Sequence, residues 1–356
     1  MTGLDPFLLA EFMGKPAWIW LTFISLVLAL LAFDLGVLNR KDHEIGIAGS
    51  LKMSAFYILI GLSFSAVIWW LYNNATPGVS LDPRILEVTG EDRAWRAVQL
   101  YLTGFAVEKT LAMDNVFVIS LVFTYLAIPR LYQHRVLFWG IIGVLVLRAI
   151  MIGVGATLVS QFSWVLYLFA VFLIFTGVMM LRKGDHDDED MSENKILKAI
   201  KKIIPVTPEL HGNKFVVKLP DPHTGKLKSI ATPLLLALVF IEIVDVVFAI
   251  DSVPAIFAIT NDAYIVYTSN IFAILGLRAL FFALAALVHR FKYLKYALSA
   301  TLIFIGGKIF LGDFFPGGKF PAEWSLGITV ALIGSGILYS LWRTRNDKTH
   351  NASAPE

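Results

Sequence analysis

The stretch Glu108-Lys-Thr-Leu-Ala-Met-Asp-Asn-Val-Phe-Val-Ile119 decides the reading of this chain, together with its echo Asp245-Val-Val-Phe-Ala-Ile-Asp-Ser-Val-Pro-Ala-Ile256. In each, an acid is followed six residues later by Asp114 or Asp251, then by Asn115 or Ser252, then by Val. Both stretches lie inside apolar runs long enough to cross about 30 Å of hydrocarbon at 1.5 Å per residue. Carboxylates inside such runs are costly, so the chain must be a membrane protein that uses them.

Working outward, nine candidate spans emerge: Trp18–Leu38, Met53–Tyr72, Val98–Leu126, Val136–Leu158, Trp164–Leu181, Thr232–Ile259, Val266–Val288, Tyr296–Gly312 and Trp324–Trp342. The eighth is the shortest and carries Lys308. Composition agrees. Hydrophobic residues make up 57%, charged residues 16%, and the mean hydropathy is +0.71, well beyond a soluble domain. Trp18–Leu38 reads as a retained span, because Met1–Pro16 carries Asp5 and Glu11 and no basic leader. The fold class is therefore all-α and polytopic, with about nine transmembrane helices.

The 356 residues contain no cysteine, which excludes disulfides, thiolate metal sites and thiol redox chemistry within the chain. The formal net charge is +3, and the basic residues sit in a few inter-span segments rather than on one soluble face. That pattern argues against nucleic acid as a partner and for membrane lipid. No nucleophile–base set or phosphate loop is visible, so an enzyme is not expected. Basic residues concentrate in the odd-numbered connections, most of all in Arg182–Ser229. The positive-inside rule then places the N-terminus outside and the C-terminus in the cytoplasm.

The long cytoplasmic loop divides into an acidic run (Asp185–Asp190), a basic amphipathic helix (Glu193–Ile203) and a small hairpin (Lys214–Leu219 with Lys226–Ile230). The acidic run reads as a solvated linker. The Asn346–Glu356 tail is expected to be unstructured.

The echo extends beyond the acidic motifs. Leu147–Ile150 (LRAI) matches Leu277–Leu280 (LRAL), and Leu173–Gly177 (LIFTG) matches Leu302–Gly306 (LIFIG). Three matches in the same order, at offsets of 137, 130 and 129 residues, predict a three-helix repeat. An odd number of crossings forces the second copy to enter from the opposite side, giving inverted repeats. The chain then divides into a two-span segment (1–97), a first repeat (98–181), the cytoplasmic loop (182–231), a second repeat (232–312) and a last span with its tail (313–356).

Six acids lie in apolar spans: Asp34, Glu108, Asp114, Glu242, Asp245 and Asp251. Four bases do too: Lys109, Arg148, Arg278 and Lys308. Each costs roughly 2.5–3.5 kcal/mol at the bilayer centre. Six acids against four bases leave an acidic excess that a bound cation or protons would neutralise. Glu108 and Asn115 are seven apart and share a helix face, as do Asp245 and Ser252. Glu242 and Asp245 are also neighbours. Asp114 and Asp251 lie about 120° round an ideal helix from Glu108 and Asp245. Two arrangements satisfy this: two layers of ligands, or a helix break near each Asp, for which Pro254 is suited. Oxygen ligands without Cys or His favour a hard cation, Mn2+, Mg2+ or Ca2+. The candidate metal ligands are Glu108, Asp114, Asn115, Glu242, Asp245, Asp251, Ser252 and Asp34. Lys109, Arg148, Arg278 and Asn270 are candidate counter-charges or lining residues. No tightly bound cofactor is expected.

These motifs resemble the TerC family of integral membrane proteins, the tellurium-resistance and Alx type. The carrying residues are Glu108 to Val118, Glu242 to Ile256 and Ser269-Asn-Ile-Phe-Ala-Ile-Leu-Gly-Leu-Arg278. The resemblance implies a bacterial inner-membrane protein, with associations to Mn2+ export and tellurite resistance. Two functional classes remain open: a divalent-cation exporter, and a non-transporting membrane factor for redox poise or protein insertion.

Overall fold

A computed structural model describes residues 5–33, 47–74, 82–162, 164–182, 195–220, 227–277, 280–282, 293–315 and 320–350. The chain begins with a helical turn α1 (Asp5–Leu8) and a two-strand hairpin of β1 (Glu11–Phe12) and β2 (Lys15–Pro16). Helices α2 (Ala17–Phe33), α3 (Ile47–Asn73) and the short α4 (Pro83–Leu86) follow. Next come α5 (Gly90–Tyr125), α6 (Arg130–Gln161) and α7 (Val165–Arg182). The long connection after α7 supplies α8 (Lys195–Ile203) and an antiparallel hairpin of β3 (Val216–Pro220) and β4 (Leu227–Ala231). The chain closes with α9 (Pro233–Phe257), α10 (Ala263–Leu275), α11 (Leu294–Leu311) and α12 (Ala322–His350).

Five of these helices are long and apolar enough to cross a membrane by length and composition, among the described residues: Ala48–Asn73, Arg130–Gln161, Val165–Arg182, Pro233–Phe257 and Trp324–Arg343. The all-α membrane architecture is therefore as expected. α5, at about 54 Å, is longer than the hydrocarbon core and carries the charged motif in its middle. Its first turn holds Glu91 and Asp92, which suit the positive end of the helix dipole. α9 opens with Pro233 at a position where no amide hydrogen is needed.

Three local expectations change. Pro254 does not break its helix: α9 runs on to Phe257, and with the proline three residues from the end little helix lies beyond it to be displaced. The interruption lies instead in the seventh span. α10 begins at Ala263, earlier than expected, and ends at Leu275; helical bonding resumes where Leu280 N donates to Gly276 O at 3.0 Å. The tail is helical as far as His350, since no Gly or Pro stops it after Trp342, and Arg343, Arg345 and Lys348 suit a helix C-terminus. The acidic run 185–190 and residues 351–356 lie outside the described residues.

Packing between the helices has a reciprocal pattern. α5 packs on α10 and α6 on α9, while α5 meets α9 and α7 meets α11. The α7–α11 seam is closest at two glycines. A methyl group at Gly177 would lie 2.7 Å from Ile303 Cγ1 and 2.9 Å from Ser299 O. One at Gly306 would lie 2.9 Å from Ile174 Cγ1 and 2.6 Å from Ala170 O. Each glycine thus meets the residues three and seven before the other. The paired numbers have constant sums (177 with 303, 174 with 306), so the two helices run antiparallel about a local two-fold axis. Small residues at such a seam let backbones approach where no hydrophobic drive exists between helices.

Candidate functional site

Helical periodicity buries one face of α5 and one of α9, and the two faces meet around a side chain from α6. Arg148 is 1% exposed and lies between the helices. Its Nε donates to Asp245 Oδ2 at 3.1 Å and its Nη2 to Asp245 Oδ1 at 3.0 Å, a two-pronged pair. Its Nη1 donates to Glu108 Oε1 and to Ser252 Oγ, both at 2.7 Å, and at 3.5 Å to Asn270 Oδ1. Glu108, Asn115, Asp245, Ser252 and Asn270 are all buried. Four helices, α5, α6, α9 and α10, therefore contribute to one polar centre.

The centre carries more acceptor than donor. Glu108 and Asp245 share one guanidinium, so among the described residues the group holds two carboxylates against one fixed positive charge. Glu108 Oε2, Asn115 Oδ1 and Asn270 Nδ2 are enclosed and have no hydrogen-bond partner among the described residues. Beside them a cavity of about 100 Å³ is lined by Glu108, Asn115, Arg148, Phe248 and Ser252. A second cavity, of about 50 Å³, adjoins Asn115 and Asp245 from the α6 side. Either has room for water next to unsatisfied polar atoms.

The structure gathers Glu108, Asn115, Asp245, Ser252, Arg148 and Asn270 as the sequence reading grouped them. It does not bring Glu242 to the same point. Three residues turn a helix by about 60° from full register, and that carries Glu242 into the groove between α6 and α9. There its carboxylate rests against Gly140 and Gly143. Lys109 also points elsewhere: its Nζ donates to Ala273 O at 3.0 Å, at the end of α10. A methyl group at Gly276 would come within 2.6 Å of Lys109 Nζ, so the glycine there makes room for the ammonium. Asp114 and Asp251 lie on α5 and α9, with side chains outside what is described; Asp34 and Arg278 lie outside the described residues altogether. Among the described residues, no three acids or histidines converge in a metal-holding group. Lys308 is buried and donates to Ser325 Oγ at 2.9 Å, tying α11 to α12.

One cluster escaped the sequence reading. Asp262 caps α10 by accepting from Tyr264 N at 3.0 Å and Ile265 N at 3.1 Å, and takes the Tyr72 hydroxyl at 2.5 Å. Asp82 Oδ2 accepts from Thr260 Oγ1 at 2.6 Å and from Asn261 N at 3.0 Å. Lys15, on β2, places its Nζ 4.1 Å from the centre of the Tyr72 ring. Burial pushes the Lys15 ammonium below its ordinary value, and the charge of Asp262 opposes the shift. The Asn-Asp dipeptide before an apolar run was a legible capping signal; its partners, nearly two hundred residues away, were not.

Comparison with known proteins adds the family. The profile described as "Integral membrane protein TerC family" matches residues 93–348. The chain belongs to the TerC family. Among curated TerC-like relatives, an uncharacterized membrane protein of Rickettsia bellii is 46% identical over 91% of this chain and 97% of its own length. An uncharacterized membrane protein of Myxococcus xanthus, STKORF319, is 42% identical over 96% of this chain and 98% of its own. An Escherichia coli K12 protein named "Putative membrane-bound redox modulator Alx" is 38% identical over 94% of this chain and 98% of its own. No solved structure matches the chain. The family match covers every residue of the Arg148 centre, while the first two spans of this TerC protein precede it.

Proposed function

We propose that this protein is a divalent-cation transporter of the bacterial inner membrane, exporting Mn2+ through the Arg148 centre. The observation that carries the reading is the acid excess there: two buried carboxylates share one guanidinium, and Glu108 Oε2 and Asn115 Oδ1 have no donor. Buried polar atoms left in that state are expensive, and a hard cation supplies what they lack. Ligands from Glu108, Asn115, Asp245 and Ser252 would hold the ion, with Asp114, Asp251 and Asp34 as further carboxylates on its path. Mg2+ and Ca2+ share this oxygen chemistry.

In this reading Arg148 is the cation that holds the two carboxylates when the ion is absent. Entry of a divalent ion releases it, and alternating access carries the ion across. The reciprocal Gly177 and Gly306 contacts support a construction from two inverted three-helix units rocking about their common axis. The N-terminus lies outside and the C-terminus in the cytoplasm. The protein moves an ion rather than catalysing a reaction and holds no resident cofactor.

A second reading, a non-transporting factor for redox poise, is favoured by the name its Alx relatives carry. The lack of cysteine leaves it no thiol of its own. Purified protein in liposomes with an Mn2+-quenched dye inside separates the two. The transport reading expects Mn2+ flux that Asp245→Asn abolishes. Flux indistinguishable from empty liposomes overturns it.

A further inference from the structure

Among the described residues that line an apolar groove between α6 and α9, Glu242 is the one ionisable group. Trp139, Ile142, Val146, Leu238 and Ile243 form its walls, and Trp139, Val146 and Ile243 are 47%, 57% and 36% exposed. In a membrane protein such an outward apolar face meets lipid. Glu242 is the tenth residue of the 25 in α9, and Gly143 the fourteenth of the 32 in α6, so the carboxyl sits near mid-depth. A methyl group at Gly143 would overlap both of its oxygens. The bare helix surface there is what admits the side chain.

Among the described residues, no counter-charge reaches it. Glu242 Oε2 is enclosed and has no hydrogen-bond partner among the described residues. One turn along α9, Asp245 is held by Arg148, and Arg148 of α6 is fully engaged with Asp245, Glu108 and Ser252. Arg135, two turns before Gly143, lies over the Phe215 ring at 5.7 Å. An ionised carboxylate in hydrocarbon without donor or cation is untenable, whereas the neutral acid is tolerated. This separates Glu242 from Glu108 and Asp245, which have a guanidinium.

We propose that Glu242 is a proton-binding carboxyl reached from the lipid phase through the α6–α9 groove, and that it supplies the proton side of cation exchange. The second half rests on the transport reading; the site itself does not. The probe is dicyclohexylcarbodiimide, which partitions into lipid. A protonated carboxyl adds across its C=N bond, gives its proton to nitrogen and rearranges to an N-acylurea with no leaving group. Full-length protein in lipid nanodiscs would be treated and mapped by mass spectrometry. The expected result is an adduct on Glu242, absent in Glu242→Gln and severalfold greater at acidic than at alkaline pH. A water-soluble carbodiimide should label the position severalfold less, and Gly143→Ala should change the yield by displacing the carboxyl. An unmodified Glu242 in folded protein, or equal labelling by the water-soluble reagent, overturns the site. In liposomes, Mn2+ flux should depend on an imposed pH gradient for wild type and lose that dependence in Glu242→Gln. Persistence of the dependence in the variant overturns the coupling role. Absence of any Mn2+ flux in wild type overturns the transport reading while the labelling result stands.

Discussion

Replacing Arg148 with glutamine should leave Glu108 and Asp245 facing each other without a cation. Arg148 is 1% exposed, and its guanidinium makes four contacts of 3.1 Å or less, three to the carboxylates and one to Ser252. Breaking a buried ion pair by removing one partner typically costs about 3–5 kcal/mol, and solvent screening does not reduce it at this depth. Glutamine keeps two donors, which places the expectation near 3 kcal/mol, about a hundredfold in the folding equilibrium. Denaturant unfolding in detergent, followed through the nine tryptophans, measures it. A double variant with Asp245→Asn removes part of the orphaned charge, so its cost should be smaller than the sum of the two singles. If the acid pair is a cation site, Mn2+ should substitute for the lost guanidinium. At about 100 times its dissociation constant it would return about 2.7 kcal/mol to Arg148→Gln, and less to wild type, where Arg148 competes. A variant within about 1 kcal/mol of wild type would refute the reasoning on burial. A normal loss of stability with no response to Mn2+ would refute the assignment of the centre to a cation.

Further expectations follow from other contacts. Gly177→Ala and Gly306→Ala should each destabilise by about 1–3 kcal/mol, because the added methyl meets backbone as well as side chain; acting on one seam, the pair should be less than additive in unfolding measurements. Tyr72→Phe should cost about 0.5–1.5 kcal/mol through its lost bond to Asp262, and Asp262→Ala more, since it removes the α10 cap as well. Lys15 contributes to the pH dependence of its region. Its folded value lies below the ordinary 10.5, so through this group the unfolded chain binds more protons in the window just beneath 10.5, and the Lys15 contribution to stability rises with pH there. Lys15→Met should flatten that rise in melting curves recorded across the alkaline range.

Much of the architecture could be read from the residues in order. Apolar run length marked an all-α membrane protein, and the hairpin and the amphipathic helix of the long loop fall within a residue or two of expectation. The pairing of Glu108 with Asn115 and of Asp245 with Ser252 followed from a seven-residue spacing, and all four line one centre. Spacing also matched Gly177 with Gly306, though it could not say that each would press on the other's helix. Residue type did not place a helix break: Pro254, suited to one, stays within α9, which ends three residues later at Phe257.

Sequence by itself determined that this is a helical membrane protein with two related acid-bearing segments, because apolar length and periodicity are local properties of one chain segment. Only the tertiary structure decided which acid meets which base. Arg148 reaches Asp245 across 97 positions and Glu108 across 40, while Glu242, three residues from Asp245, turns to the outer groove. Periodicity fixes the angle between two side chains about their own helix axis. It does not fix how that helix is rotated against its neighbours, and that rotation separates a carboxylate held by arginine from one that lies in the outer groove.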